Sequence, residues 1–148
     1  MDLANDSGSP LASCTCANLR KATRAITQLY DAALEPSGLL ITQLSVLGGI
    51  ATLKSATMNQ LADLLVMDRT TLTRNLKPLL RRGLVNIASG RDERTRYVTL
   101  TSKGEHALSK ALQLWENAQA RIVKELGEER WSGLMRNLSR LTEIAHQE

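Results

Sequence analysis

Apolar residues recur at helical spacing through most of this chain, and one short stretch breaks the rhythm. From about Ser13, Leu19, Ala22, Ile26, Leu29, Tyr30 and Ala33 share one side of a predicted helix. Pro36 biases Glu35 away from helical geometry and ends it, with Gly38 reinforcing the break. Thr42 is placed to cap a second helix carrying Leu44, Leu47, Ile50 and Ala51. Gly48-Gly49 weakens that helix by roughly 1 kcal/mol per glycine relative to alanine, which close packing against a neighbouring backbone would offset. Near the other end Thr101 caps a long helix with a stripe running from Ala107 and Leu108 through Ala111, Leu112, Trp115, Ala118 and Ile122 to Leu126. Gly127 interrupts it, and a last helix presents Trp131, Leu134, Met135, Leu138, Leu141 and Ala145. Residues 1–12, with Gly8, Ser9 and Pro10 and little apolar content, are expected to form a flexible arm.

The break in the rhythm lies between residues 57 and 101. Thr57-Met58-Asn59-Gln60 is a helix start in which Thr57 and Gln60 can satisfy each other's backbone N–H groups. The short helix that follows carries Leu61, Leu64 and Leu65 on one side. Val66-Met67 turns the chain into Asp68, an N-cap for a second helix running to about Arg82. Leu72, Leu76, Leu79 and Leu80 form its buried side, while Arg69, Thr70, Thr73, Arg74, Lys77 and Arg81 form the opposite face. Gly83 stops it where a left-handed residue is expected. Pro78 costs this helix a hydrogen bond and about 3 kcal/mol, so a bend is expected there. Next come two alternating runs, residues 84–88 and 96–100, joined by the polar, glycine-containing segment 89–95. Helix, turn, helix and basic-tipped hairpin make a winged helix-turn-helix.

Here the wording of the sequence becomes specific. Asp92-Glu93-Arg94, followed by Val98-Thr99-Leu100-Thr101-Ser102-Lys103-Gly104, resembles the wing and following helix start of the MarR family of bacterial regulators. The Leu-x-x-Leu-x-Arg-Arg-Gly-Leu-Val run over residues 76–85 is similar too, and the resemblance covers nearly the whole chain from Cys14 onward. It implies a mainly α fold with a small β-hairpin wing. One MarR-like domain would span residues 13–148, with a DNA-binding lobe at about 42–101 and dimerisation helices at about 13–35 and 102–146. The implied partners are a second copy of the chain, a palindromic operator in double-stranded DNA and a small-molecule effector. The implied role is transcription regulation, as a repressor released by a small aromatic or phenolic ligand.

The chemistry available at these positions fits that role. Arg69, Thr70, Thr73, Arg74 and Lys77 are the candidate DNA contacts on the second motif helix, because Arg can fork onto guanine while Thr and Lys suit phosphates and thymine methyls. Arg94 at the wing tip is placed to enter a minor groove, and the resemblance gives Asp92 the task of steadying it. Arg20, Arg24 and Tyr30 are the ligand candidates, since the first helix borders the effector cleft in relatives and Arg pairs bidentately with carboxylates. The alternative is a thiol-based or organic-peroxide-sensing regulator using Cys16, which matches the reactive cysteine of the family's peroxide sensors. Two tyrosines that orient the thiolate in those sensors are replaced here, by Arg20 and at about Ile41. A Cys14–Cys16 disulfide would have to unwind the helix start, because residues two apart diverge on a helix.

Charge sharpens the picture. The chain of 148 residues carries +4 overall, yet residues 57–103 hold nine Lys/Arg against four Asp/Glu. All of the positive excess therefore sits in the motif segment, which favours a polyanionic partner there. Without Phe, the core must be built mainly from Leu, Ile, Val and Ala. His106 and His146 stand far apart with no ligand partners at metal-binding intervals, and no phosphate loop or nucleophile elbow is present. No enzyme activity, metal or cofactor is expected. No apolar run approaches the ~20 residues of a membrane helix, and a cytoplasmic location is the expectation.

Overall fold

The computed structural model describes residues 11–146. The arm expected over residues 1–12 therefore lies, but for its last two positions, outside the described residues. Ten elements follow in order: α1 (Thr15–Leu34), a 3-10 turn (Glu35–Ser37), α2 (Ile41–Leu53), β1 (Ala56–Thr57), α3 (Met58–Leu65), α4 (Arg69–Arg81), β2 (Val85–Ser89), β3 (Arg96–Leu100), α5 (Ser102–Leu126) and α6 (Glu128–Ala145). The strands form one antiparallel sheet in the order β1-β3-β2, with Ile87 opposite Val98 and Val98 opposite Ala56.

The local signals between residues 57 and 104 act as expected. The Thr57 hydroxyl accepts the Gln60 N–H at 3.1 Å, and Gln60 Oε1 accepts the Thr57 N–H at 3.0 Å. Asp68 caps α4 by accepting the Thr71 N–H at 2.8 Å. Gly83 takes the left-handed conformation at φ 68° that ends it, and the helix runs unbroken through Pro78. At the other end of the wing, the Thr101 hydroxyl accepts the Gly104 N–H to start α5. The helix-turn-helix turn itself rests on Val66 in the left-handed region, with its N–H donating back to Asp63.

Four expectations change. The second helix begins one residue before Thr42. Its first N–H groups are satisfied by Gln43, which accepts from Leu40, and by Asp31 of α1, which accepts from Ile41 at 2.7 Å. Leu80, expected on the buried side of α4, is exposed, and so is Leu64 on α3. Gly49 makes room for the Leu61 and Leu65 side chains of α3 and not for a backbone, while Gly48 faces open space. The two-residue strand β1 was not anticipated. It pairs across the sheet to β3 through Ala56 and Thr57 and so ties the start of α3 to the wing.

Leu44, Val46, Leu47 and Ile50 of α2, Leu61 of α3, Leu72, Leu76 and Leu79 of α4, and Leu84, Val85 and Val98 of the wing form one continuous core. α5 closes it with Leu108 and Ala111. A Cβ at Gly104 would lie 1.9 Å from the Leu84 carbonyl oxygen, so only glycine lets α5 approach the root of the wing. Thr101 and Lys103 add hydrogen bonds to the carbonyls of Gly83 and Arg82, and Arg82 donates to Gly38 beyond α1. The exit of α4 is thus fastened to the start of α5 and to the turn that follows α1. α6 buries no residue at all, and no single helix among the described residues is long and apolar enough to cross a membrane.

Candidate nucleic-acid interface

Arg69, Thr70, Thr73, Arg74 and Lys77 line one shallow groove of about 430 Å³ on the outer face of α4. Their convergence follows from helical spacing: Leu72, Leu76 and Leu79 commit the other face to the core, which leaves these five exposed. The cap sets the direction of this face. Asp68 accepts hydrogen bonds from both the N–H and the hydroxyl of Thr71, and these hold its carboxyl below the usual aspartate range. The Thr73 hydroxyl donates to the Arg69 carbonyl at 2.8 Å, which leaves it an acceptor and a methyl group to offer outward.

At the wing, Asp92 Oδ1 accepts the backbone N–H of Arg94 at 3.0 Å. Asp92 thus fixes the turn on which Arg94 stands and leaves the exposed guanidinium unpaired. A second hollow, of about 270 Å³, is lined by Arg69 of α4, by Arg94, Thr95 and Arg96 of the wing, and by Thr57, Met58 and Asn59. Arg96 and Asn59 escaped the sequence reading because they meet Arg69 only through the pairing of β1 with β3. Among the described residues the one ion pair joins Arg140 to Glu143, so no carboxylate neutralises this basic face.

The model of the MarR family matches residues 37–95. Over most of its length the chain also resembles the transcriptional regulator MosR of M. tuberculosis, solved in complex with DNA. The identity is 42%, the TM-score 0.83, and the likeness covers 89% of this chain and 96% of that one. The chain belongs to the MarR family. An uncharacterised HTH-type transcriptional regulator of Bacillus subtilis, YwoH, is 32% identical over 87 residues, which are 59% of this chain and 64% of that protein, a little under two thirds of its length. A mutant MarR of E. coli complexed with operator DNA shares the fold at a TM-score of 0.78 and 24% identity, covering 95% of this chain and 99% of that one. Membership in the MarR family makes this chain a winged helix-turn-helix transcriptional regulator.

The other candidate residues are distributed differently from α4 and the wing. Arg20 and Arg24 are exposed on α1, whereas Tyr30 is buried and its hydroxyl donates to Gln119 of α5. Burial raises the Tyr30 pKa above its ordinary value. Tyr30 lines an apolar groove of about 350 Å³ between α1, α5 and α6, and Arg20 and Arg24 lie outside that lining. The structure does not bring the three together. A larger cleft of about 500 Å³ opens between α2, β3 and α5, and Lys54, Leu100, Leu108, Leu112, Glu105 and Glu116 are among the residues that line it. Lys54 has φ 62° and ψ −61°, and the Ser55 N–H reaches back to the Leu53 carbonyl at 2.7 Å. That is a γ-turn of the strained hand, and it sits between the cleft and β1. Cys14 is the half-buried N-cap of α1, and Cys16 is exposed in its first turn. His106 is exposed, and His146 places a ring nitrogen 2.7 Å from the Thr142 carbonyl.

Proposed function

We propose that this MarR-family protein is a cytoplasmic, sequence-specific repressor that binds a palindromic operator as a homodimer. The carrying observation is the single exposed face shared by Arg69, Thr70, Thr73, Arg74 and Lys77, flanked by Arg94 on the wing. α4 enters the major groove, where Arg74 forks onto a guanine, while Arg94 reaches the neighbouring minor groove from the turn that Asp92 holds. Dimerisation is supported by Ile26, Leu134, Met135, Leu141 and Ile144, apolar residues that α1 and α6 leave exposed. Two copies of α4 about one duplex turn apart match a palindrome. The reading includes no catalytic step and no cofactor.

Release by a small aromatic or phenolic acid is supported by the cleft between α2, β3 and α5. Lys54 offers a cation to a carboxylate, Leu100, Leu108 and Leu112 an apolar wall to a ring, and Glu105 or Glu116 an acceptor to a phenolic hydroxyl. A ligand there bears on the Lys54 turn and, through β1, on α3 and the wing. Tyr30 serves as a packing residue in this reading, and Arg20 and Arg24 remain available on α1 to a ligand or to the second copy. The test is fluorescence anisotropy on the promoter region next to the protein's own gene, with sedimentation to fix the oligomeric state. Salt-dependent binding by a dimer is expected. A single monomer at micromolar concentration, or equal affinity for every duplex, would overturn the proposal.

The exposure of Cys16 supports a second reading, in which oxidation of its thiol releases DNA. The two readings part on one experiment. With ligand control, low doses of cumene hydroperoxide leave the complex intact and Cys16→Ser behaves like the parent. Release of the parent by micromolar peroxide, abolished in Cys16→Ser, would make this a redox regulator.

A further inference from the structure

Arg82 follows the last turn of α4, and its exposed guanidinium has no carboxylate partner among the described residues. Its Nη1 instead donates to the Gly38 carbonyl at 2.8 Å, 44 residues back along the chain. The turn it reaches is firmly held. The Ser37 hydroxyl donates to the Leu34 carbonyl and accepts the Leu39 N–H, Gly38 stands at φ 68°, and Asp31 accepts the Ile41 N–H. Leu34 and Leu39, on either side of the turn, are buried in the core. A Cβ on Gly38 would lie 3.6 Å from Arg82 Nη2, so the guanidinium rests against the turn itself. Arg82 is also held from the other side. Its carbonyl accepts from Lys103 Nζ at 2.8 Å, and the Thr101 hydroxyl donates to the carbonyl of Gly83.

The lobe that carries α4 joins the rest of the chain at two points, the turn before α2 and the step from β3 into α5. Two attachments leave a rocking motion about the line between them. Packing of Leu108 and Ala111 against the lobe opposes that motion only weakly, because apolar contact is not directional, whereas a hydrogen bond to a fixed carbonyl sets a distance. Arg82 ties the end of α4 to the first attachment, and Lys103 ties it to the second. We propose that Arg82 is a positioning residue for DNA recognition. Its bond to Gly38 fixes the angle of α4 against the helices assigned to the second copy, and so sets the half-site separation that the dimer accepts. The inference rests on the dimeric DNA-binding reading above. Arg82 touches no base in it and acts through α4.

The experiment is anisotropy of the full chain on three duplexes: the operator from the promoter region next to its own gene, that operator with one base pair inserted between its half-sites, and random duplex. The insertion moves one half-site by about 3.4 Å and turns it by about 35°. The parent is expected to bind the lengthened operator about tenfold more weakly than the natural one, the size of one poorly met recognition contact. Arg82→Gln, too short to reach Gly38, should weaken the natural operator by about fivefold and leave the lengthened one nearly unchanged, so that discrimination falls to about twofold. Arg81→Gln removes the same charge from the exposed neighbour, which makes no such bond among the described residues, and should keep the parental discrimination. Equal losses on all three duplexes with a lower salt slope would make Arg82 a phosphate contact. A lower melting temperature with unchanged discrimination would make it a structural tie and nothing more. Either result overturns the proposal and leaves DNA binding in place. A parent that binds both operators alike would overturn the dimeric reading and the proposal together. The Arg82 side chain is exposed, so the core of the variant is not at stake.

Discussion

The DNA-binding lobe and the terminal helices treat the same kind of residue in opposite ways. From α2 to β3, Leu47, Ile50, Leu61, Leu72, Leu76, Leu79, Leu84 and Val98 are almost wholly buried. In α6, Leu134, Met135, Leu141 and Ile144 lie more than a third exposed, and nothing is buried. Both regions have the apolar periodicity of helices that pack, yet only the first closes a core within one chain. The lesson is that periodicity marks the face a helix offers for packing without showing what, if anything, covers it. Gly104, Thr101 and Lys103 fasten the self-sufficient lobe to the long helix that leads into the open region.

Substitutions can break this comparison. The largest effect is expected from Leu76→Ala, which leaves a cavity in the closed core and should cost about 2–5 kcal/mol in chemical denaturation. Leu141→Ala, the same change on the open face, should instead raise the dimer dissociation constant in sedimentation and leave the α2–β3 core packed. Similar losses at both sites would mean that the terminal helices belong to one core with the lobe. Next, Gly104→Ala drives a methyl group into the Leu84 carbonyl and should cost about 3 kcal/mol, the upper end of ordinary overpacking. Melting curves that matched the parent's would show that the α5 junction yields freely.

Smaller effects sharpen the picture within the lobe. Val66 holds a left-handed conformation that β-branched residues avoid, so Val66→Gly should raise stability by about 1 kcal/mol. A loss of stability would show that the turn tolerates valine without strain. The smallest effect concerns Asp68, whose carboxyl is held below its ordinary pKa of 3.8 by the Thr71 hydroxyl and N–H. A depressed pKa contributes stability that is present above 3.8 and is lost as pH falls through the lower folded value. Denaturation of Asp68→Asn should therefore show a slightly weaker acid dependence than the parent in that window. The same acid dependence in both would remove the cap from the account.

The parts legible in the sequence were those set by neighbours along the chain. The Thr57–Gln60 box, the Asp68 cap, the Gly83 stop and the Thr101 cap each act within four residues, and each stands in the structure. That the five α4 residues share one exposed face was legible for the same reason, since one helical turn after another places them side by side. What could not be read depended on distant partners. Asp31 caps α2 from another helix, so Thr42 looked like the cap when it was not. β1 has two residues and no alternation of its own; it exists because β3 offers an edge. Arg96 and Asn59 gained their place beside Arg69 only through that pairing. Tyr30 was grouped with Arg20 and Arg24 by their shared helix, but its hydroxyl belongs to Gln119, eighty-nine residues away.

The central claim is that α4 and the wing, and no other surface, read DNA. Anisotropy of a labelled operator at fixed salt tests it with Arg74→Ala, Arg94→Ala and, as the control on α6, Arg130→Ala. The first two should each weaken binding by roughly 1–3 kcal/mol while Arg130→Ala binds like the parent. Equal losses from all three would contradict the account.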